Sequence, residues 1–272
     1  MRFQGEGWPR AMWIHRPFST FTTVLTIQNE ERPLAEKNWA PFFFSDSQPL
    51  ENVESARYLH FVYSLRPLRV LCCNLSNGFC EWVFKQEFPD GFILYEARHV
   101  DGAMRGGTNF VSLPTITPGL RLYAGFPRTH IHGICSDNAI YRPELVILAI
   151  VDEINYHIAY ASEPIDFGFA VLDEEARKDT CTEGRILIAN SISRWYRQRG
   201  CDIMTLSLSV ADRTVQIVRL AGVMDLLDTL PYIGALQSNS TDMESAFSNV
   251  PWSIAGHDTI LCSIEAAANM QV

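Results

Sequence analysis

The chain has no apolar run near the roughly 18 residues that a membrane-spanning helix needs. Its opening stretch, MRFQGEGWPRAMWIH, lacks the apolar core of a signal peptide. The expectation is a soluble chain, equally suited to being the lumenal portion of something longer. Basic residues are in deficit: 22 Lys and Arg against 31 Asp and Glu give a net charge of −9 and a pI near 5.3. They are also scattered, which excludes nucleic acid as the main partner. A phosphate-bearing small molecule is not excluded, because two or three local Arg or Lys side chains suffice for it. The seven cysteines (72, 73, 80, 135, 181, 201 and 262) form no C-x-x-C and no zinc spacing. They read first as small buried hydrophobes. One or two disulfides would suit a secretory chain, with the odd count leaving one cysteine unpaired. Cys72 and Cys73, adjacent on a strand, would point to opposite faces. Helical periodicity is scarce: residues 173–178 form a short polar helix at best, and short helices fit around 224–230 and 260–270. Sequons at Asn74 and Asn239 are no more frequent than chance provides.

What the chain does have is globular composition, 47% hydrophobic and 19% charged, enough to bury a core without staples. The length suits one large all-β domain or two small ones. Short runs rich in Val, Ile, Phe, Tyr and Leu recur between turn residues, predicting strands at 39–44, 58–65, 69–74, 81–85, 109–113, 120–126, 144–151, 156–161, 185–191, 203–210 and 214–220. They fall into three similar units. APFFF, TNFVSL and ANSISRW open them; LHFVYSL, LRLYAGF and IMTLSLSV continue; LRVLCCN, ELVILAIV and VQIVRLAG follow. The units stand about 70 to 80 residues apart, long beside the roughly 40–50 residues of a short-loop propeller blade. Repeated four-strand units solve the problem of unpaired sheet edges by arrangement around an axis. A β-sandwich of several sheets is the competing architecture.

Several short motifs occur in a telling order. Glu36-Lys37-Asn38-Trp39-Ala40-Pro41-Phe42 precedes Leu59-His60-Phe61-Val62-Tyr63-Ser64 and Arg66-Pro67. Arg105-Gly106-Gly107-Thr108, Leu122-Tyr123-Ala124-Gly125-Phe126 and Thr129-His130 come next. Tyr141-Arg142-Pro143-Glu144, Ser162-Glu163-Pro164-Ile165 and Leu208-Ser209-Val210-Ala211-Asp212 complete the set. Over residues 10–223 this order resembles the fungal β-mannosyltransferases and, more distantly, the five-bladed propeller enzymes that phosphorolyse β-mannosides. The resemblance implies a five-bladed β-propeller, here incomplete at the N-terminus, with a site in its central funnel. Residues 1–223 would be the partial propeller, and 224–272 an extension that closes it or stays partly disordered.

By position in those motifs, the resemblance implies that Lys37 and Asn38 form a turn beside sugar or phosphate and that Arg66 contacts phosphate. It implies that Gly107 and Thr108 form a turn approaching the ligand, that His130 lines the site, and that Asp212 holds sugar hydroxyls. The chemistry is reasonable: Lys and Arg make charge-assisted bonds to phosphate, and a carboxylate accepts from paired hydroxyls. Plainer roles stand beside each. Lys37 next to Glu36 suits a surface ion pair, and Arg66 before Pro67 an extended strand end. Gly106-Gly107 suits an ordinary turn or bulge, and Asp212 a hairpin turn. His130 and His132 share a strand face, yet no third metal ligand is evident, so no metal and no cofactor is expected. Trp39, Trp82 and Trp195 offer faces for sugar stacking but more often belong to a core.

The resembled enzymes protonate the leaving oxygen with an early aspartate in an E-D-P-R-like turn. No aspartate precedes Asp46 here, and the upstream acids Glu6, Glu30, Glu31 and Glu36 stand in no such motif. The expectation is therefore a fragment, or a chain whose acid is Glu36 or absent. The function implied is mannose transfer from nucleotide-mannose or mannose 1-phosphate to a mannoside acceptor, building β-mannosidic linkages of cell-wall or glycoprotein glycans. The resemblance implies the secretory pathway or Golgi lumen, and the sequence itself leaves the cytoplasm open. The alternatives are a β-mannoside phosphorylase, or an inactive glycan- or protein-binding propeller.

Overall fold

The computed structural model describes residues 24–31, 38–44, 57–88, 90, 102–115, 117–135, 138–168, 171–172, 181, 183–230 and 252–269. The described chain is mostly β. The first sheet holds β1 (Thr26–Ile27), β2 (Ala40–Phe42), β3 (Tyr58–Leu65), β4 (Leu68–Asn74) and β5 (Phe79–Lys85), in the order β1-β5-β4-β3-β2. Strands β2 to β5 form an antiparallel meander, and β1 adds in parallel to its edge. A second meander orders β7 (Val111–Leu113), β8 (Leu120–Gly125), β11 (Val146–Val151) and β12 (Asn155–Ala161) side by side. A third consists of β13 (Leu187–Gln198), β14 (Cys201–Val210) and β15 (Thr214–Ala221). These three sheets are the three units legible in the sequence. Four strands per unit holds for the second; the first has a four-strand meander plus the added β1, and the third has three strands among the described residues.

The sequence pattern missed a fourth sheet, formed by β6 (Gly102–Arg105), β9 (Arg128–Cys135) and β10 (Asn138–Pro143) in the order β10-β9-β6. Its strands mix Gly, Arg, His and Asn with a few Thr and Ile, so no continuous apolar run marks them. Among the described residues α-helices are few: α1 (Val223–Thr229), close to the expected 224–230, and α2 (Trp252–Asn269), which begins eight residues before the expected 260. The helix considered for 173–178 lies outside the described residues. Among those residues, no helix is long and apolar enough to cross a membrane.

The sheets pack face to face in chain order, and the second is buried on both sides. Leu122, Ala124, Ile147 and Ala149 face the third sheet's Leu187, Leu206 and Leu208. Tyr123, Val146, Leu148 and Ile150 face the first sheet's Phe42, Val62 and Val70 and the helical Ile260 and Ile264. Double burial explains why β11 reads VILAIV without alternation. It also distinguishes the arrangement from a two-sheet sandwich. Gly125 is needed here, because a Cβ would sit 2.8 Å from the Phe110 ring. Backbone and side-chain bonds tie the opening segments of the three meanders in a row: Phe110 N–H donates to Pro41 C=O at 2.9 Å, and Ile192 N–H to Asn109 Oδ1 at 3.0 Å. The C-terminal helix is sewn to the second sheet by Ser263 Oγ, which donates to Ser162 C=O at 2.6 Å.

The cysteine reading needs correction. Cys73 and Cys80, cross-strand partners on β4 and β5, are disulfide-bonded, as are Cys135 and Cys181. Three cysteines are free rather than one: Cys72, Cys201 and Cys262. Cys73 does point away from Cys72, into an outer core with Phe61 and Leu71. Trp39 and Trp82 pack against that core, at 5.4 and 5.0 Å from the Tyr63 ring, and Trp195 donates to Asp202 Oδ2 at 2.8 Å. All three serve packing.

His60 lies between the Phe42 and Phe44 rings, 5.3 and 5.4 Å from their centres. Burial lowers its pKa from 6.5 to about 4, and His157 behaves the same way. Each therefore stays neutral when folded, while the unfolded chain takes up a proton below pH 6.5. Their stabilising contribution is complete above that pH and is lost as pH falls from 6.5 through 4. Replacing His60 with Phe should flatten this acid limb, as measured by urea unfolding across that range. An unchanged pH slope would show that His60 is protonated alike in both states.

Candidate functional site at the insert sheet

The opening ends of the first two meanders meet at one turn. Asn38, at φ 74°, lies against Gly106, whose Cβ would approach the Asn38 carbonyl oxygen to 2.5 Å. Gly107, at φ 115°, presses on the backbone of β8's exit, where a Cβ would stand 2.0 Å from Phe126 C=O. Only glycine fits there. Thr108 closes the junction: its N–H donates to Phe126 C=O at 3.1 Å, and its Oγ1 accepts the Phe126 N–H at 2.9 Å while donating to Asn109 C=O at 2.8 Å. The residue is fully buried, so its hydroxyl serves the backbone and does not face a ligand. Immediately after this junction the chain enters β9, where Arg128 Nη2 donates to Asn38 Oδ1 at 2.6 Å.

The sequence-predicted residues are thus partly assembled. Asn38, Gly107, Thr108 and His130 lie along this junction and the strand leaving it. His130 stacks on Tyr141 at 4.6 Å, with His132 4.1 Å beyond it. Arg66 stands at the β3–β4 hairpin, joined to Pro67 by a cis bond, at the end of the first sheet from which β2 starts. Asp212 occupies the β14–β15 hairpin tip with φ 53°, following Ala211 at φ 56°. That turn is closed by Arg213 N–H donating to Val210 C=O at 3.1 Å, so Asp212 has the turn role open to it in the sequence. It connects to the junction through Ile186, which accepts the Ala211 N–H at 2.8 Å and bridges Tyr141. Lys37, like the alternative acid Glu36, lies outside the described residues. Among the described residues no group of three His, Cys, Asp or Glu could hold a metal. A cavity of about 290 Å³ between β5 and β12, lined by Phe84, Tyr156 and His157, touches none of these positions.

Three residues gain significance only in the structure. Arg142 is buried, and its Nη1 donates to the carbonyls of Tyr141, Gly184 and Arg185 at 2.9, 2.8 and 3.2 Å, tying β10 to the entrance of the third sheet. Glu144 is fully buried; its Oε2 accepts the Thr129 N–H at 2.9 Å, while Oε1 has no partner among the described residues. Burial pushes its carboxyl well above the usual range, against the opposing pull of the Thr129 bonds and the Arg142 charge. The third is Arg128, half-buried. The signal available was the motif Tyr141-Arg142-Pro143-Glu144, which carries the resemblance without revealing burial; Arg128 stands just before Thr129-His130 and belongs to no such motif.

Residues 10–270 match the family described as beta-mannosyltransferases. Beta-mannosyltransferase 1 of Komagataella phaffii is 32% identical over 267 residues, covering 95% of this chain and 39% of that protein. Beta-mannosyltransferase 4 of the same yeast is 35% identical over 228 residues, 81% of this chain and 42% of the relative. Beta-mannosyltransferase 3 of Candida albicans is 32% identical over 224 residues, 79% and 37%. The chain belongs to the beta-mannosyltransferase family. It spans about two-fifths of the length of these relatives. No solved structure matches it.

Two outcomes test this geometry. Gly107→Ala should cost more than about 2 kcal/mol, read as a fall in the urea midpoint, since it adds positive-φ strain to a backbone clash. Glu144→Gln should be close to neutral at low pH. Because the folded pKa of Glu144 is raised, its contribution is present below the unfolded carboxyl pKa and lost as pH rises through the folded value. The wild type should therefore lose stability relative to Glu144→Gln as pH rises; parallel curves would show an ionised Glu144 in both states.

Proposed function

We propose that the chain carries the mannose-transferring fold of its family, using a mannosyl donor and a mannoside acceptor to build β-mannosidic linkages of cell-wall or glycoprotein glycans. The observation that carries this is the family match across residues 10–270. The junction of Asn38, the 106–108 turn and Arg128 supports it, since a polar rim beside a basic strand suits a sugar next to a phosphate. Nucleotide-mannose is the preferred donor; mannose 1-phosphate is the donor or product of the phosphorylase alternative. Arg66, Lys37 and Asp212 remain proposed contacts to phosphate and sugar hydroxyls.

The propeller is the architecture proposed for 1–223, with 224–272 as the extension whose helix α2 packs on the second sheet. The row formed by the openings of β2, β7 and β13 supports a radial arrangement. In a closed ring, another sheet would cover Val215 and Ile217, which are 70% and 67% exposed on β15. Work in the secretory pathway is supported by the two disulfides, which persist in oxidising compartments. A binding-only role is the second reading. It is favoured by the sealed position of Glu144, which cannot reach a ligand from there.

The test is an assay of this chain with nucleotide-mannose and a β-mannoside acceptor, beside a full-length relative. This chain should bind the mannoside acceptor, and transfer of mannose onto it would support the reading. Phosphate-dependent release of mannose 1-phosphate would favour the phosphorylase. Failure to bind any mannoside would end the carbohydrate reading.

A further inference from the structure

The outward face of the insert sheet has an unusual charge pattern. Residues directly opposite each other across antiparallel strands share a face, as do alternate residues along one strand. The β6–β9–β10 register sets Arg105 opposite Arg128, and Ala103, His130 and Tyr141 in the next row. The intervening residues Met104, Thr129, Ile131 and Arg142 are buried on the other face. Two arginines, two histidines and a tyrosine therefore share one partly exposed surface. In a chain of net charge −9, the strands Gly102–Arg105, Arg128–Cys135 and Asn138–Pro143 contain no Asp or Glu.

Like charges directly opposite each other across a strand pair destabilise a sheet. Arg105 and Arg128 do so without an ion-pairing carboxylate among the described residues, although Arg128 is half-buried. The nearest carboxyl, Glu144, turns to the buried face and bonds the Thr129 N–H. What does touch Arg128 is neutral: Asn38 Oδ1 accepts from its Nη2 at 2.6 Å, which fixes one edge of the guanidinium and leaves its other donors in place for a ligand. Burial lowers the Arg128 pKa, the Tyr141 phenol opposes this, and the Arg105 charge adds to it. A desolvated guanidinium facing another cation is the arrangement that an anion would complete.

We infer that Arg105 and Arg128, braced by Asn38 and flanked by Tyr141 and His130, form a phosphate-binding clamp for the donor. This deepens the mannosyl-transfer reading and rests on it for the word donor, but the anion site itself stands on the sheet geometry. Paired guanidinium forks match phosphate oxygens in a way that a point-charge ammonium does not. The resemblance implies a phosphate contact at Arg66 and a turn beside sugar or phosphate at Lys37 and Asn38. The clamp adds a site on a different sheet, at the turn where Asn38 already sits. The phosphate recognised could belong to a nucleoside diphosphate or to a sugar 1-phosphate, and the clamp chemistry is common to both.

The experiment follows thermal unfolding of the whole chain with inorganic phosphate, pyrophosphate or mannose 1-phosphate, against sodium chloride at equal ionic strength. Phosphate line broadening in ³¹P NMR gives a second readout that does not depend on stability. Wild type should gain melting temperature with the phosphate compounds and not with chloride. Arg105→Gln removes an exposed charge, so it should fold and, without anion, be at least as stable as wild type, because the repulsion is gone. Its phosphate-dependent shift and line broadening should fall at least fivefold, with Arg105→Lys intermediate and Arg219→Gln on β15 unchanged. A larger shift with pyrophosphate would assign a nucleoside-diphosphate donor, and a larger one with mannose 1-phosphate a sugar phosphate. Equal shifts in wild type and Arg105→Gln, or a gain reproduced by chloride, would overturn the clamp. So would an anion-free loss of stability in Arg105→Gln, which would mean that Arg105 already has a partner in the protein. Phosphate binding lost with Arg105→Gln in a chain that ignores mannosides would keep the clamp and remove the sugar reading. Mannoside binding indifferent to phosphate would do the reverse.

Discussion

The second sheet has no solvent face, and much of the molecule follows from that. Strands β8 and β11 pair with Ala124 opposite Ile147 and Leu122 opposite Ala149 on one side, and Tyr123 opposite Leu148 on the other. The first set fills the core shared with the third sheet, the second the core shared with the first sheet and helix α2. A one-residue slip would exchange the two sets, putting the Tyr123 ring where Leu122 and Ala124 now pack. Both partners of this sheet therefore constrain its register, and the small residues Ala124, Gly125 and Ala149 set how closely the neighbours approach.

That burial also determines where polar chemistry can go. The chain leaves β8 at Phe126 and returns at Leu145 to form β11 beside it, so the residues between cannot join a sheet whose neighbouring positions are taken. They fold back with β6 into a sheet of their own. One face is buried through Met104, Thr129 and Ile131, and the other is free to carry Arg, His and Tyr. The return is held by groups that cost free energy to bury: Arg142, whose Nη1 donates to three carbonyls, and Glu144, whose carboxyl pKa burial raises and whose Oε2 accepts the Thr129 N–H. Hydrogen bonds to a buried guanidinium and an upward shift of a buried carboxyl's pKa are two ways of lowering the cost of an uncompensated ion. This corner uses both.

The same contrast explains what could be read from sequence. The meander strands were legible because hydrophobic runs of the right length stood between turn residues; Tyr58–Leu65 was located to the residue. The insert sheet was not, because GAMR, RTHIHGIC and NAIYRP interrupt their apolar residues with Arg, His, Gly and Asn, and β6 pairs with a strand 23 residues later. The Cys73–Cys80 bond depends on the β4–β5 register, which residue types alone do not specify. Among the candidate site residues, Asn38 and Gly107 meet at one junction, and a turn motif marks both in the sequence. Glu144 belongs to the Tyr141–Glu144 motif and Arg128 only borders Thr129-His130, and neither stands out in the sequence, since their interest comes from desolvation and from which way a side chain turns. Thr108 shows the opposite error, a polar residue in a ligand-suggestive turn whose hydroxyl is spent on Phe126 and Asn109.

The overall charge is no obstacle to a phosphate site. At physiological ionic strength the Debye length is about 8 Å, so exposed charges beyond that distance are largely screened from one another. A net charge of −9 spread over the whole surface therefore says little about the potential at Arg128, whereas Arg105 across the strand says much. The excess of acid disfavours a long polyanion, which must lie across many surface positions at once. It leaves untouched a small dianion held by two guanidinium groups on one acid-free sheet. The chain can thus repel nucleic acid and still bind phosphate, because the two ligands sample the charge distribution on different length scales.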